Sequence, residues 1–169
     1  MKVKSRRLCI NVLTVSDTRG LKDDTSGDYL CGVIHDSGHK VGKRVIVTDD
    51  IYKIRAALSG WIADEHVDTV LITGGTGFSG RDSTPEAVEP LFDKSIDGFG
   101  ELFRNLSYDE IGSSTIQSRA LGGLANNTVI FCLPGSTGAC RTGWEKIIKD
   151  QLDSNYEPCN FVGVIKNKI

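Results

Sequence analysis

The sequence predicts an α/β fold in which helices cover both faces of a mostly parallel sheet. Short segments rich in β-branched residues alternate with segments of helical periodicity, and such alternation implies right-handed crossovers between parallel strands. Residues 67–73 are nearly continuously apolar, which is typical of a strand buried on both faces. Two predicted strands lead directly into loops of small residues that precede helices, near residues 74–83 and 134–138.

Four strands are predicted from apolar, β-branched segments that polar residues or glycines interrupt. In chain order they occupy residues 8–15, 40–48, 67–73 and 128–133. The tail at residues 160–165 is interpreted as a short strand or an extended arm.

Six helices are predicted, in chain order at residues 28–37, 51–62, 85–93, 101–111, 114–121 and 139–152. Asp49 or Asp50 caps the second helix. Thr84 caps the third, which has Pro85 in its first position. The pair of glycines at 122–123 is expected to end the fifth helix.

The composition fits a single domain that spans residues 1–169. A net charge of −2 gives no polycationic surface, so we expect no nucleic acid partner, and no apolar run is long enough to cross a membrane. The apolar run after the basic N-terminus is short and lacks a cleavage site, so it is interpreted as a strand and not as a signal peptide. Five cysteines without a C-x-x-C pair favour a reducing compartment, and we expect a cytoplasmic protein.

The loop after the third predicted strand is the strongest candidate for a binding site. Gly74, Gly75 and Gly77 lack Cβ atoms, which lets successive N–H groups turn toward one point and lets a ligand approach the main chain. Arg81 and Asp82 follow and add a cation and a carboxylate. The combination predicts a site for phosphates and a divalent metal.

Two common phosphate-binding motifs do not fit this loop. Residues 75–80 have the form G-x-G-x-x-G, but in a dinucleotide site the helix begins inside the motif, whereas here it begins at Pro85. A Walker loop requires Lys and then Ser or Thr after its last glycine, where this chain has Arg81 and Asp82. A plain tight turn remains the alternative for the glycines, and an ordinary surface pair remains the alternative for Arg81 and Asp82.

The carboxyl ends of the predicted parallel strands carry polar or glycine-rich segments, and ligands bind at these ends in open α/β sheets. The segments are Ser16 with Asp17, residues 48–50, residues 74–82, and Pro134 with Gly135 and Ser136. We expect all four to line one cleft. Asp49 alone would be weak evidence, because a helix cap also explains an aspartate at that position.

Several motifs together resemble the molybdenum cofactor biosynthesis family of MoaB/MogA type. They are Thr73-Gly-Gly-Thr-Gly77, Arg81-Asp-Ser-Thr-Pro-Glu-Ala87, Gly98-Phe-Gly-Glu101 and Leu133-Pro-Gly-Ser136. Three further segments resemble the MoaB branch more than MogA: residues 23–27, residues 113–120, and the ending made of residues 140–144 and 158–161. The resemblance extends over nearly the whole chain.

This resemblance implies a three-layer α/β/α sandwich that assembles into a homotrimer, with homohexamers common in the MoaB branch. It implies binding of molybdopterin, a pterin that carries a dithiolene and a terminal phosphate. Adenylyltransferase members of the family transfer AMP from Mg-ATP to that phosphate and release pyrophosphate. The alternative is a non-catalytic molybdopterin-binding or precursor-binding assembly protein of the same pathway.

The resemblance also assigns roles to residues. It gives Asp49 and Asp82 catalytic roles, and both carboxylates suit Mg²⁺ because this ion takes oxygen ligands. Asp50 stands beside Asp49, and a shift of one residue would exchange the two. The residues expected to bind nucleotide or molybdopterin are Ser16, Asp17, Gly74, Gly75, Thr76, Gly77, Arg81, Glu101, Pro134, Gly135 and Ser136.

Overall fold

A six-stranded, mostly parallel sheet forms the centre of the protein. The computed structural model describes residues 5–165. The strands are β1 (Cys9–Val15), β2 (Lys40–Val47), β3 (Thr69–Thr73), β4 (Lys94–Ser95), β5 (Leu121–Ala125) and β6 (Thr128–Leu133), in the spatial order β2-β1-β3-β6-β5-β4. Strands β2, β1, β3 and β6 are parallel, whereas β5 and β4 are antiparallel to their neighbours. The predicted fold class is confirmed.

Helices pack on both faces of this sheet. They are α1 (Thr25–Asp36), α2 (Ile51–Ala63), α3 (Thr84–Val88), α4 (Asp97–Ile111), α5 (Thr137–Gly143) and α6 (Lys149–Gln151). A π-helical turn, Trp144–Ile148, joins α5 to α6, so the predicted long helix is one helical run that begins at Thr137. Short 3₁₀ turns occupy Glu89–Leu91, Gly112–Gln117 and Phe161–Gly163. No helix between residues 5 and 165 is long and apolar enough to span a lipid bilayer.

Two hydrophobic cores lie on opposite faces of the sheet, because successive strand residues point to opposite sides. In β6, Phe131 packs into the core formed with α1, α4 and α5, whereas Ile130 and Cys132 pack into the core formed with α2 and α3. Trp144 and Trp61 are the largest helical side chains of the two cores. The sheet is therefore covered on both faces, which is the three-layer arrangement.

The sheet has a topological switch point between β1 and β3. These strands are adjacent and parallel. The chain leaves β1 for α1 on one face of the sheet and leaves β3 for α3 on the other. Connections that diverge in this way open a crevice at the carboxyl ends of the two strands, which is the usual ligand position in open α/β sheets.

The predicted helix at residues 114–121 is wrong. A 3₁₀ turn, Gly112–Gln117, stands there, and the glycines expected to end the helix lie inside strand β5. A Cβ on Gly123 would lie 2.3 Å from the ring of Phe92, and one on Gly122 would lie 3.3 Å from the carbonyl oxygen of Ile130. These glycines therefore let the ring of Phe92 and the backbone of β6 pack closely against β5. Strand β4, which pairs with β5, was not predicted.

Smaller corrections concern helix ends and the tail. Thr84 does not cap α3, because it is the first residue of the helix and its hydroxyl donates to the carbonyl of Gly74 at 2.8 Å. Helix α1 begins at Thr25, three residues before the predicted start, since Asp24 caps it by accepting from the N–H of Gly27. The tail forms the 3₁₀ turn Phe161–Gly163, so it is neither a strand nor an extended arm there.

Candidate functional site

A cavity of about 560 Å³ lies over the carboxyl ends of β1, β3 and β6. The loops after these strands form one side, and α4 with the following 3₁₀ turn forms the other. The loop side contains Ser16, Arg19, Gly74, Gly75, Thr76, Gly77, Asp82, Pro134, Gly135 and Ser136, and the helical side contains Phe103, Ser107, Glu110, Ile111, Ser114 and Gln117. The predicted convergence is present for the ends of β1, β3 and β6, whereas residues 48–50 after β2 do not line this cavity. The volume is within the range of small-molecule sites.

The glycine loop has a backbone conformation that residues other than glycine rarely adopt. Gly74 and Gly75 have φ values of +102° and +67°. A Cβ on Gly74 would lie 2.2 Å from the carbonyl oxygen of Val15, so the loop crosses the end of β1 backbone against backbone. Within residues 5–165, the N–H groups of Gly75, Thr76 and Gly77 have no hydrogen-bond acceptor. These amides can therefore donate to a ligand.

Asp49 lies beneath the glycine loop and is only 8% exposed. Its Oδ1 accepts from the N–H of Ser83 at 3.0 Å and from the Ser83 hydroxyl. Its Oδ2 would lie 2.7 Å from a Cβ on Gly75, so this oxygen faces the loop. Asp50 instead caps α2, since its side chain accepts from the N–H groups of Tyr52 and Lys53.

Asp82 borders the other end of the glycine loop. Its Oδ2 accepts from the N–H of Ser79 at 2.8 Å and would lie 2.8 Å from a Cβ on Gly77. Oδ1 of Asp82 and Oδ2 of Asp49 accept no hydrogen bond from the residues that the structure describes. Each carboxylate thus keeps one oxygen for a ligand beside a loop of free amides.

This donor set fits Mg²⁺ but not a metal held by protein alone. In the described part of the chain, no group of three or more His, Cys, Asp or Glu side chains is close enough to hold an ion. Mg²⁺ usually takes one or two carboxylates and completes its shell with phosphate oxygens and water. Asp49 and Asp82 match that requirement.

Arg81 is paired with Asp17. Its Nε and Nη2 donate to the two carboxylate oxygens of Asp17 at 2.9 and 2.8 Å, and the Asp17 carboxylate also accepts from the N–H of Asp49. Hydrogen bonds from Arg81 and then from Asp49 lower the pKa of Asp17 to about 2. Asp17 therefore stays ionised and links the loops after β1, β2 and β3.

The loop after β6 completes the cleft. Ser136 caps α5 by accepting from the N–H of Ala139 at 3.1 Å. The carbonyl of Gly135 accepts from Arg19 and from Ser26, each at 2.8 Å. A Cβ on Gly135 would lie 3.3 Å from the Cα of Gly74, so the loops after β3 and β6 pack directly together.

The family comparison agrees with this arrangement of loops. Residues 11–154 match the model of a family described as a probable molybdopterin binding domain. The chain belongs to this family. The resemblance to the MoaB/MogA type is confirmed by this match together with relatives of the MoaB branch.

Individual relatives of this molybdopterin-binding family are similar over most of their length. The chain is 57% identical over 152 residues to Molybdenum cofactor biosynthesis protein B of Escherichia coli strain K12, covering 90% of this chain and 89% of that protein. A crystal structure of Molybdenum cofactor biosynthesis protein B superposes with a TM-score of 0.84 at 46% identity, covering 87% of this chain and 92% of that one. The tungsten cofactor synthesizing protein MoaB from Pyrococcus furiosus superposes with a TM-score of 0.76 at 39% identity, covering 84% and 91%.

Glu101, which the family motif suggested as a ligand-binding residue, does not line the main cavity. It is exposed on α4 and faces a second cavity of about 550 Å³, together with Arg104 and Glu89. Asp17 and Arg81, which pair with each other, also lie outside the lining of the main cavity, and so does Asp49 beneath the glycine loop. The other predicted binding residues line the main cavity.

Sequence reasoning missed residues that connect the elements around the site, Asp24 above all. Asp24 is fully buried and accepts from Thr14, Gly27 and Arg44. Burial acts to raise the pKa of Asp24, but these hydrogen bonds hold it below its usual value. The run of polar residues at 23–26 could have indicated a helix cap, but nothing local indicates that Ser26 reaches the loop after β6.

Proposed function

We propose that this chain acts in molybdenum cofactor biosynthesis as a molybdopterin adenylyltransferase. In this reaction the terminal phosphate of molybdopterin attacks the α-phosphorus of Mg-ATP, AMP is transferred and pyrophosphate leaves. The observation that carries the proposal is the pair of carboxylates, Asp49 and Asp82, on either side of a glycine loop with free amides. Membership of a molybdopterin-binding family supports the choice of pterin.

The cavity has distinct chemistry on its two sides, which supports a ligand with a flat ring and a phosphate. Ile111 provides exposed apolar surface on the helical side, and Phe103, which is almost fully buried, lies in the same wall. Gly75, Thr76 and Gly77 provide N–H donors on the loop side. In our proposal the pterin packs toward the helices and the phosphates bind at the loop, where oriented amides favour anions.

Mg²⁺ would be held by the free oxygens of Asp49 and Asp82 together with phosphate oxygens. The ion supplies positive charge that lowers the repulsion between the two phosphate groups. The protein contributes mainly position, because phosphoryl transfer needs its attacking and leaving oxygens in line. Ser83 fixes the Asp49 carboxylate by two hydrogen bonds and Ser79 fixes that of Asp82 by one, so both metal ligands are oriented in advance.

A non-catalytic binding or assembly protein is the second candidate, and the Arg81–Asp17 pair favours it. Arg81 forms both of its short hydrogen bonds with Asp17, so it is not free to bind a phosphate unless that pair opens. A catalyst would need the guanidinium or its partner to rearrange when the substrate binds.

One assay separates the two candidates. The purified protein is mixed with Mg-ATP, with and without molybdopterin, and released pyrophosphate is measured. Pyrophosphate release that depends on molybdopterin supports the transferase. Tight molybdopterin binding without release supports the assembly protein, and absence of both overturns the proposed function.

We also propose that the chain forms a trimer or a hexamer in the cytoplasm. The family resemblance is the main support, and large apolar side chains exposed on α4 and the following 3₁₀ turn are available for contacts between copies. They are Leu102, Tyr108, Ile111 and Ile116, with exposed fractions of 45%, 60%, 55% and 75%. Contact between copies would remove this surface from water.

A further inference from the structure

Arg119 lies behind the glycine loop and binds it at several points. Its backbone N–H donates to the carbonyl of Thr76 at 3.1 Å. Its Nε donates to the carbonyl of Gly77 at 2.9 Å, and its Nη2 donates to the carbonyl of Asp82 at 3.1 Å. The residue stands between the 3₁₀ turn Gly112–Gln117 and strand β5, so the adjoining sheet holds it in place.

Two further contacts fix the guanidinium itself. Nη1 of Arg119 is paired with the Glu86 carboxylate on α3. The guanidinium carbon lies 5.1 Å from the ring centroid of Phe78, within the range of a cation–π contact. The side chain is 24% exposed, so these contacts are partly shielded from water. Arg119 thus connects the glycine loop, the Asp82 turn and α3.

These contacts determine where the loop amides point. In a trans peptide the C=O and N–H groups point in opposite directions. Arg119 binds the carbonyls of Thr76 and Gly77, so the N–H groups of the same two peptides, which belong to Gly77 and Phe78, point away from it. Thr76 and Gly77 line the main cavity, whereas Arg119 does not. The N–H of Gly77 is therefore directed to the cavity side of the loop.

We propose that Arg119 is a positioning residue that holds the glycine loop with the N–H of Gly77 directed at bound phosphate. This inference rests on the proposed function, because it assigns the loop a phosphate-bearing ligand. A guanidinium suits the task, since its planar group donates in several fixed directions at once. Lysine at this position would keep the charge but would not reach the same acceptors together.

The test compares Arg119→Gln and Arg119→Lys with a matched control, Arg55→Gln. Arg55 donates Nε to the carbonyl of Ala87 at 3.0 Å and Nη2 to the carbonyl of Glu86 at 2.8 Å. It holds α3 through two carbonyls but does not contact the glycine loop. Loss of Arg55 therefore reproduces the general cost of removing an arginine that binds backbone carbonyls near the site.

Two measurements are made on each protein: NMR order parameters of Gly75, Thr76 and Gly77, and the affinity for inorganic pyrophosphate with Mg²⁺ by calorimetry. We expect order parameters near 0.85 in the wild type and in Arg55→Gln, falling below about 0.6 in both Arg119 variants. We expect pyrophosphate affinity to fall tenfold or more in the Arg119 variants and less than twofold in Arg55→Gln.

A rigid loop in Arg119→Gln would overturn the proposal, as would a loosened loop with unchanged affinity, or a wild type that binds no pyrophosphate. Failure of the proposed function has a different signature. The wild type then binds pyrophosphate and the Arg119 variants bind it poorly, but the wild type releases no pyrophosphate from Mg-ATP and molybdopterin. In that case Arg119 still positions an anion-binding loop, and the transferase activity is excluded.

Discussion

Arg81 donates two hydrogen bonds of 2.9 and 2.8 Å to the carboxylate of Asp17, and this pair connects the loops after β1 and β3 across the switch point of the sheet. The two residues are 64 positions apart in the sequence. The Asp17 carboxylate also accepts from the N–H of Asp49. The pair therefore sets the geometry between one proposed metal ligand and the glycine loop, in addition to any direct contact with substrate.

If the Arg81–Asp17 pair opens when a ligand binds, Arg81→Ala is expected to weaken binding of nucleotide or molybdopterin by about ten- to a hundredfold, since a hydrogen bond to a charged group contributes roughly 1.5–3 kcal/mol. The side chain of Arg81 is 66% exposed, so the melting temperature should change little. Calorimetric titration of both ligands measures the effect. Unchanged affinity for both ligands would show that Arg81 serves only to hold Asp17.

The titration of Asp17 reports on the same pair. Its pKa is lowered from 3.8 to about 2 by the hydrogen bond from Arg81 and by that from the N–H of Asp49. Because the folded pKa is depressed, the pair contributes its full stability above about pH 4 and loses it as the pH falls through 2. NMR titration of the Asp17 carboxyl carbon should show this low midpoint in the wild type. In Arg81→Ala the midpoint should move upward, and a midpoint that stays in place would mean that Arg81 does not cause the shift.

The parallel strands and the glycine loop could be predicted because both leave local signals. A buried strand is apolar along its length, and a loop that approaches a ligand or another backbone closely needs glycine. Strand β5 could not be predicted, since Gly122 and Gly123 normally end elements, and only the ring of Phe92 and the backbone of β6 explain them. A sequence pattern contains no information about such distant contacts.

The same limit applies to the site. Three of its strand-end segments, after β1, β3 and β6, were predicted because parallel strands bring their carboxyl ends to one edge, whereas residues 48–50 after β2 were also expected in the cleft and do not line it. The role of Arg119 was not predicted, because its partner Gly77 lies 42 residues away in the sequence and no motif indicates that the two residues interact. The different positions of Asp49 and Asp50 could also be seen only in the three-dimensional structure. Both are aspartates after a strand, and only their hydrogen bonds distinguish a helix cap from a carboxylate under the loop.

Substitutions of Asp49 and Asp50 should affect different properties of the protein, transfer in one case and stability in the other. Asp50→Ala removes the acceptor for the N–H groups at the start of α2, so we expect a loss of roughly 0.5–2 kcal/mol in the free energy of unfolding with transfer retained. Asp49→Asn should retain a hydrogen bond with Ser83 but lose transfer, because the negative charge is gone. Urea denaturation and the pyrophosphate assay measure the two effects. Loss of transfer in Asp50→Ala alone would exchange the two roles.

Assembly can be checked by light scattering. We expect a mass of three or six times the chain mass of 18.3 kDa at micromolar concentration. Ile116→Glu places a charge at an apolar residue that is 75% exposed, so it should lower the mass without unfolding the chain. A monomeric wild type would contradict the proposed assembly.

Asp82→Asn separates a catalyst from a binder. Asparagine keeps the size of the side chain and one carbonyl oxygen, which can still accept from the N–H of Ser79. Helix α3 begins at Thr84 without a side-chain cap, so its start does not depend on the Asp82 charge. The melting temperature should therefore change little. If Asp82 holds Mg²⁺ on the triphosphate, transfer should fall by several orders of magnitude, because electrostatic positioning supplies most of the barrier reduction.

Asp64→Asn is the matched control, since Asp64 also accepts a nearby backbone N–H, that of His66, and lies at the end of α2 away from the cavity. Molybdopterin binding should persist in Asp82→Asn, because the phosphate then meets less negative charge. Transfer at the wild-type rate in Asp82→Asn would remove Asp82 from the mechanism. If the wild type and Asp82→Asn both bind molybdopterin and neither transfers AMP, the assembly protein is supported instead, because the Asp82 carboxylate would then take part in no reaction.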